Sequence, residues 1–118
     1  MKSYLFVLRK PAHSGAYVQE ILDIILTTAA FDQEVTLLML DDGVFHLKKN
    51  QQPDRLGMKD TAAIFEVLAL YDVNELYVED ESLAERGLNL SDLGLPVKHM
   101  SRSRVAEFIK QFDVLVAG

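Results

Sequence analysis

The apolar positions of this chain alternate between short continuous runs and sets with helical spacing. The continuous runs predict five strands, over 4–8, 35–40, 75–79, 97–100 and 113–117. The helically spaced sets predict helices over 16–30, 59–70 and from 103 onward, and 82–86 reads as one or two helical turns that Gly87 ends. Ser14 and Ser103 precede the first and last helices and are the expected N-caps.

The strand segments are apolar at successive positions rather than at alternate ones. Such runs are typical of strands that are buried on both faces, as in a parallel sheet covered by helices. Because strands and helices alternate along the chain, the pattern predicts an α/β fold. We expect a three-layer α/β/α sandwich with a five-stranded, mostly parallel sheet, in a single domain spanning residues 1–118.

The predicted 59–70 helix has a wider apolar arc than one sheet face can cover. Every residue of 62–70 except Glu66 is apolar, and the 16–30 helix has a similar excess. An exposed apolar patch of this kind usually marks an interface, so we predict an oligomer; the alternative is that the fold buries both helices fully. The candidate contacts on this helix are Ile64, Phe65 and Leu68. The last helix has one apolar stripe, formed by Val105, Phe108, Ile109 and Phe112.

The charge of the chain argues against direct binding to nucleic acid or to an anionic membrane. Lys and Arg number 12 against 18 Asp and Glu, so the net charge is −6, and the basic residues occur only in ones and twos. The apolar run before Arg9 is shorter than the core of a signal peptide or a membrane span. We therefore expect a cytoplasmic protein.

The chain contains no cysteine, which excludes several kinds of chemistry for these 118 residues. Thiolate nucleophiles, persulfide carriers, disulfides, thiolate zinc sites and cysteine-ligated iron–sulfur clusters all require cysteine. His13, His46 and His99 lie in separate predicted elements without metal-ligand spacing. We expect no metal site and no cofactor.

Three polar loops follow strands and so are predicted to lie at the carboxyl edge of the sheet, where α/β proteins place ligands. The 11–15 loop lacks a phosphate-binding motif, so it predicts an ordinary capped loop; the alternative is an anion site at the start of the first helix. Ser14, His13 and Asp42 are the residue types of a catalytic triad, but no local signature accompanies them. The Asp41-Asp42-Gly43 segment predicts a turn in which Gly43 takes a positive φ; a divalent-cation site would lack a third ligand. The 79–81 segment predicts a solvated acidic turn; the alternative is that it faces a basic partner. A stand-alone small-ligand-binding α/β enzyme would have to use these loops.

Four segments carry a resemblance to a known family. They are DDGVFHL at 41–47, AFDQEV at 30–35, LYDVNELYV at 70–78 and SLAERGL at 82–88. In order and spacing they resemble the TusC/DsrF branch of the DsrE/F-like sulfur-relay family. The resemblance implies the DsrEFH-like fold, a parallel five-stranded α/β/α sandwich.

The resemblance also implies a role as a subunit rather than as an enzyme. TusC-like chains assemble with TusB-like and TusD-like chains into a cytoplasmic heterohexamer that passes persulfide sulfur from TusA to TusE for 2-thiolation of wobble uridine in tRNA. DsrF-like chains instead assemble with DsrE-like and DsrH-like chains in sulfur oxidation. The sulfur-carrying cysteine belongs to the TusD-like or DsrE-like subunit, and no position here matches it. The short stretch after Leu88, without an acidic insertion, favours the TusC-like alternative.

Within such a complex this chain is expected to shape the pocket around its partner's thiolate. The candidate interface combines the loop after the second strand with the 59–70 helix. The loop contributes Asp42, Gly43, Phe45 and His46.

Overall fold

Five parallel strands lie side by side in the order β4-β3-β2-β1-β5. The computed structural model describes residues 2–10, 16–31, 33–47, 73, 75–93 and 97–117. The strands are β1 (Ser3–Leu8), β2 (Glu34–Met39), β3 (Glu75–Glu79), β4 (Lys98–Met100) and β5 (Val114–Ala117). The predicted α/β fold with a five-stranded sheet is confirmed, and every neighbouring pair of strands is parallel.

Three α-helices and two 3-10 helices are present among the described residues. The α-helices are α1 (Ala16–Ala30), α2 (Asp80–Glu85) and α3 (Arg102–Ile109), and the 3-10 helices are Asp41–Leu47 and Leu90–Asp92. The predicted 59–70 helix and the Ser14 N-cap lie outside the described residues. No helix in the described ranges is long and apolar enough to cross a membrane.

The N-cap prediction for the last helix is wrong by two residues. Ser101 occupies the N-cap position of α3 with extended backbone angles, φ −76° and ψ 154°, whereas Ser103 is already helical. The two hydroxyls lie 2.9 Å apart, and Ser101 makes no capping hydrogen bond with its side chain. Both serines suit an N-cap by residue type, so composition alone does not separate them.

The helices cover the sheet from both sides. On one face, Ile21 and Ile25 of α1 pack with Phe6 and Leu8 of β1. Leu83 of α2 belongs to the same core. On the other face, Leu5 and Val7 of β1 pack with Val105 of α3. Since neighbouring strand residues point to opposite faces, the continuous apolar run of β1 supplies both cores.

The apolar surface of α1 is wider than the part that packs against the sheet. Ile21, Leu22 and Ile25 are buried, whereas 49% of Ile24 remains exposed. The stripe predicted for the last helix is confirmed: Val105 is buried, Phe108 and Ile109 are half-buried, and Arg104, Glu107 and Lys110 are exposed. Phe112 lies beyond the end of α3 and packs against the same core.

The prediction of a turn with a positive φ at Gly43 is wrong. Asp41–Leu47 forms a 3-10 helix, and the left-handed residue is Asp41, with φ 51°. Gly43 is required for space, because a Cβ atom there would lie 1.9 Å from the carbonyl oxygen of Leu8. The backbone N–H of Leu40 donates to that same oxygen at 3.0 Å, so the 3-10 helix starts directly against the end of β1.

Candidate functional site

The carboxyl ends of the parallel strands meet at one edge of the sheet, and we call this region the carboxyl edge. It contains the 3-10 helix that follows β2, the start of α2 after β3 and the start of α3 after β4. The polar side chains of these three segments contact one another rather than standing apart. They are Asp42, Glu79, Ser82, Glu85, Arg86 and Arg102.

Glu79 is the buried centre of these contacts. It ends β3 and is only 4% exposed, so the prediction that 79–81 forms a solvated turn is wrong. Its Oε1 accepts hydrogen bonds from Ser82 Oγ at 2.6 Å and from Nε and Nη2 of Arg102 at 3.0 and 2.9 Å. A carboxylate buried to this degree requires such partners, because burial strongly disfavours an unpaired charge.

Arg102 joins the start of α3 to β3 and α2. Besides Glu79, its guanidinium donates to both carboxylate oxygens of Glu85, from Nη1 at 3.2 Å and from Nη2 at 3.0 Å. Its backbone N–H donates to Glu81 Oε1 at 2.8 Å. The hydrogen bond to Glu85, followed by that to Glu79, raises the pKa of Arg102 above its ordinary value. The same contact with Arg102 lowers the pKa of Glu85.

Ser82 and Arg86 connect α2 to the 3-10 helix after β2. Ser82 is fully buried, and its Oγ accepts a hydrogen bond from the backbone N–H of Asp41 at 2.8 Å. Arg86 Nε donates to Asp42 Oδ1 at 2.8 Å, and Arg86 Nη1 donates to the carbonyl oxygen of Ser82 at 3.2 Å. The three segments of the carboxyl edge are therefore held together by side-chain contacts that cross between them.

A cleft of about 370 Å³ opens beside these contacts, between the ends of β1 and β2 and the start of α3. Its apolar lining includes Leu40, Val105 and Ile109, and its charged lining sets two arginines, Arg9 and Arg102, against Asp41 and Glu79. Because these charges balance, the cleft can hold a mainly apolar group. Thiolate chemistry has no source in this chain, because it contains no cysteine.

The predicted interface residues fall into two groups. The first belongs to the 3-10 helix: Asp42 is exposed, Gly43 is buried and Phe45 is half-buried, while His46 contributes its backbone to the helix. The structure thus brings these four into one short segment at the carboxyl edge. The second group and the side chain of His46 lie outside the described residues; that group is Ile64, Phe65 and Leu68.

The histidines and carboxylates do not combine into a cation-binding group in the described ranges. His99 lies on β4, where its Nδ1 contacts Asp80 Oδ1 at 2.8 Å, and His13 and Ser14 lie outside those ranges. No set of three or more potential metal ligands occurs in the described part of the chain.

Sequence reasoning missed Ser82, Arg86 and Arg102 as members of the carboxyl edge. One signal for the burial of Glu79 was available. Strand alternation places its side chain on the same face of the sheet as Tyr77, and α3 covers that face. Arg102, the cation that pairs with Glu79, is 23 residues away in sequence, and no local pattern pairs the two.

Comparison with known proteins agrees with this fold along the whole chain. A family model described as the DsrE/DsrF-like family matches residues 2–117. The crystal structure of the ychN protein from Escherichia coli covers 100% of both chains with a TM-score of 0.83 at 14% identity. At that identity the likeness shows the fold alone.

Curated relatives carry names from both branches of the sulfur-relay family. The TusC homolog of Pseudomonas aeruginosa is 36% identical over 115 residues, which is 98% of this chain and 97% of that protein. The intracellular sulfur oxidation protein DsrF of Allochromatium vinosum is 39% identical over 93 residues, 79% of this chain and 68% of that protein. TusC of Escherichia coli O8 is 39% identical over 89 residues, 75% of each chain. This chain belongs to the DsrE/DsrF-like family.

Proposed function

We propose that this chain is a non-catalytic subunit of a cytoplasmic TusBCD-type sulfur-relay complex. The observation that carries the proposal is the end-to-end match to a protein named TusC homolog, over 98% of this chain and 97% of that relative. The complex passes persulfide sulfur towards 2-thiouridine at the wobble position of tRNA. Its other subunits are TusB-like and TusD-like chains.

The composition and the carboxyl edge support a subunit rather than an enzyme. The chain has no cysteine, so the thiolate that carries persulfide must come from another subunit. The guanidinium of Arg102 binds Glu79 and Glu85, and Arg86 binds Asp42. These guanidinium groups are therefore engaged within the chain rather than directed at a substrate.

The proposed contact surface combines the 3-10 helix after β2 with the 59–70 segment. Asp42 is exposed at the carboxyl edge, and Phe45 is half-buried beside it. In this proposal the two segments form one wall of the pocket around the partner's thiolate. His46 lies in the same 3-10 helix.

The experiment that tests the function is deletion of the gene for this chain, followed by mass spectrometry of tRNA nucleosides. We expect 2-thiouridine derivatives at the wobble position to be lost, and the wild-type gene to restore them. Unchanged 2-thiouridine after deletion would contradict the proposal. A deletion of a TusD-like gene in the same organism is the matched control, because it removes the sulfur-carrying subunit itself.

A DsrF-like role in sulfur oxidation is the second candidate. It is favoured by the 39% identity to DsrF of Allochromatium vinosum, although that match spans 68% of the relative. In this case the partners are DsrE-like and DsrH-like chains. The same deletion strain distinguishes the two roles, because a DsrF-like chain is needed for growth on reduced sulfur and is dispensable for tRNA thiolation.

A further inference from the structure

The cleft at the carboxyl edge lies beside β1, the strand at which the order of the sheet reverses. From β1 the order runs through β2 and β3 to β4 on one side, and β5 lies on the other side. The helix that follows β1 is α1, which packs on one face of the sheet, whereas α3, which leads from β4 to β5, packs on the other. In open α/β sheets, ligands bind at the carboxyl ends of the strands beside such a reversal. Arg9 directly follows β1 and lines the cleft together with residues of α3.

Glu79 contributes an acceptor without a partner to the lining of this cleft. Its side chain is 5% exposed, and its hydrogen bonds from Ser82 and Arg102 all end on Oε1. Within the described ranges, no residue donates a hydrogen bond to Oε2. An ionised carboxylate accepts on both oxygens, and a buried polar atom without a partner is rare in folded proteins. Oε2 therefore requires a donor that the described residues do not supply.

The charges of the lining favour a ligand without charge. Arg102 is already paired with Glu79, so Arg9 and Asp41 remain as one cation and one anion. Among the described residues, neither of these two has an ion-pair partner. A charged ligand would meet a like charge as well as an opposite one, and it would lose its hydration without a net gain.

We propose that the cleft binds a small uncharged molecule with an apolar body and a hydroxyl group, an alcohol or a phenol, whose O–H donates to Glu79 Oε2. The apolar body packs against the apolar part of the lining, which is Leu40, Val105, Ala106 and Ile109. The volume of about 370 Å³ lies at the lower end of the range of small-molecule sites, roughly 300–1,000 Å³. This inference concerns binding alone and goes beyond the sulfur-relay role, on which it does not depend.

Phenol and anisole test the proposal as a matched pair of probes. Both present one aromatic ring, but the oxygen of anisole carries a methyl group in place of the hydroxyl proton. Each is titrated into the ¹⁵N-labelled chain while the amide signals are followed by NMR. We expect phenol to shift, in a saturable way, the signals of residues that line the cleft, among them Asp41, Glu79, Val105 and Ala106. Anisole should bind about tenfold more weakly, because it cannot donate to the carboxylate.

Two variants with the same added ring locate the site. Ala106→Phe fills the wall of the cleft that α3 provides, and we expect it to abolish the saturable response to phenol. Lys110→Phe is the matched control, because Lys110 is exposed at the end of α3 and lies outside the lining of the cleft. This control should bind phenol as the wild type does. The amide spectra of both variants show whether the fold is retained.

Glu79→Gln tests the hydrogen bond itself. The Gln amide oxygen can keep the contact with Arg102, while its NH₂ group replaces the free acceptor by a donor. The preference for phenol over anisole should therefore be lost. The comparison of the two probes on the wild type needs no variant, so it stands even where Glu79→Gln does not fold. Absence of a saturable response to phenol, a response confined to residues away from the cleft, or equal affinity of the wild type for both probes would overturn the proposal.

Discussion

At the scale of single residues, two glycines are required for different physical reasons. Gly43 leaves space for the carbonyl oxygen of Leu8, whereas Gly87 has a φ of +66° and open space where a Cβ atom would lie. We predict that Gly43→Ala lowers the free energy of unfolding by about 3 kcal/mol or more, because the backbone must move. Gly87→Ala, the matched control, should cost about 1 kcal/mol through φ alone. Urea unfolding measures both, and equal losses would contradict the steric role of Gly43.

A second prediction at this scale concerns Asp113 and acid stability. Asp113 Oδ2 accepts hydrogen bonds from the backbone N–H and the hydroxyl of Ser3, at 2.9 and 3.2 Å. These contacts, the backbone one first, lower the pKa of Asp113 below its ordinary value of 3.8. Between the lowered value and 3.8 the unfolded chain binds more protons, so the contribution to stability is present above 3.8 and is lost as pH falls through the folded pKa.

Asp113→Asn should therefore flatten the acid limb of the stability profile. Urea unfolding between about pH 5 and pH 3 measures the slope of stability against pH. Glu20→Gln removes an exposed carboxyl of α1 and serves as the control. An acid limb of Asp113→Asn as steep as that of the wild type would show that the Ser3 contacts do not set it.

At the scale of elements, Ser82 holds α2 against the segment that follows β2. Its hydroxyl accepts from the Asp41 N–H at 2.8 Å, in a part-buried setting, and donates to Glu79 at 2.6 Å, in a buried one. We predict that Ser82→Ala lowers the free energy of unfolding by about 1–3 kcal/mol, because the part-buried Asp41 N–H and the buried Glu79 carboxylate each lose a partner. Ser101→Ala is the control and should change it by about 0.5 kcal/mol or less, since Ser101 makes no side-chain cap to α3.

The regular elements were predictable from sequence because their signals are local. The bounds of α1 and β3 agree with the predictions at every residue, since a long periodic set and a short apolar run each identify an element. The contacts of Gly43 and of Glu79 were not predictable, because each partner comes from a distant segment: Leu8 for Gly43 and Arg102 for Glu79. The position of the carboxyl edge could thus be predicted from sequence, but the side-chain contacts within it could not.

At the scale of the whole molecule, the proposed function requires a partner on the 59–70 segment. We predict that Phe65→Asp prevents co-purification with the TusD-like chain, because a carboxylate cannot be buried in an apolar interface without a partner. Phe31→Asp is the matched control, since Phe31 is 72% exposed beside Lys2 and Gln33, at the edge of the sheet where β1 and β2 begin. A complex that survives Phe65→Asp while the variant remains folded would remove this segment from the interface.

Co-expression of this chain with the TusB-like and TusD-like chains of its source tests whether the three form one assembly. Size-exclusion chromatography with light scattering measures the mass of that assembly. We predict one stable species of about six chains that contains all three subunits. Elution of this chain alone, as a monomer or as a homo-oligomer, while the other two chains are present and folded, would contradict the claim that it is a sulfur-relay subunit.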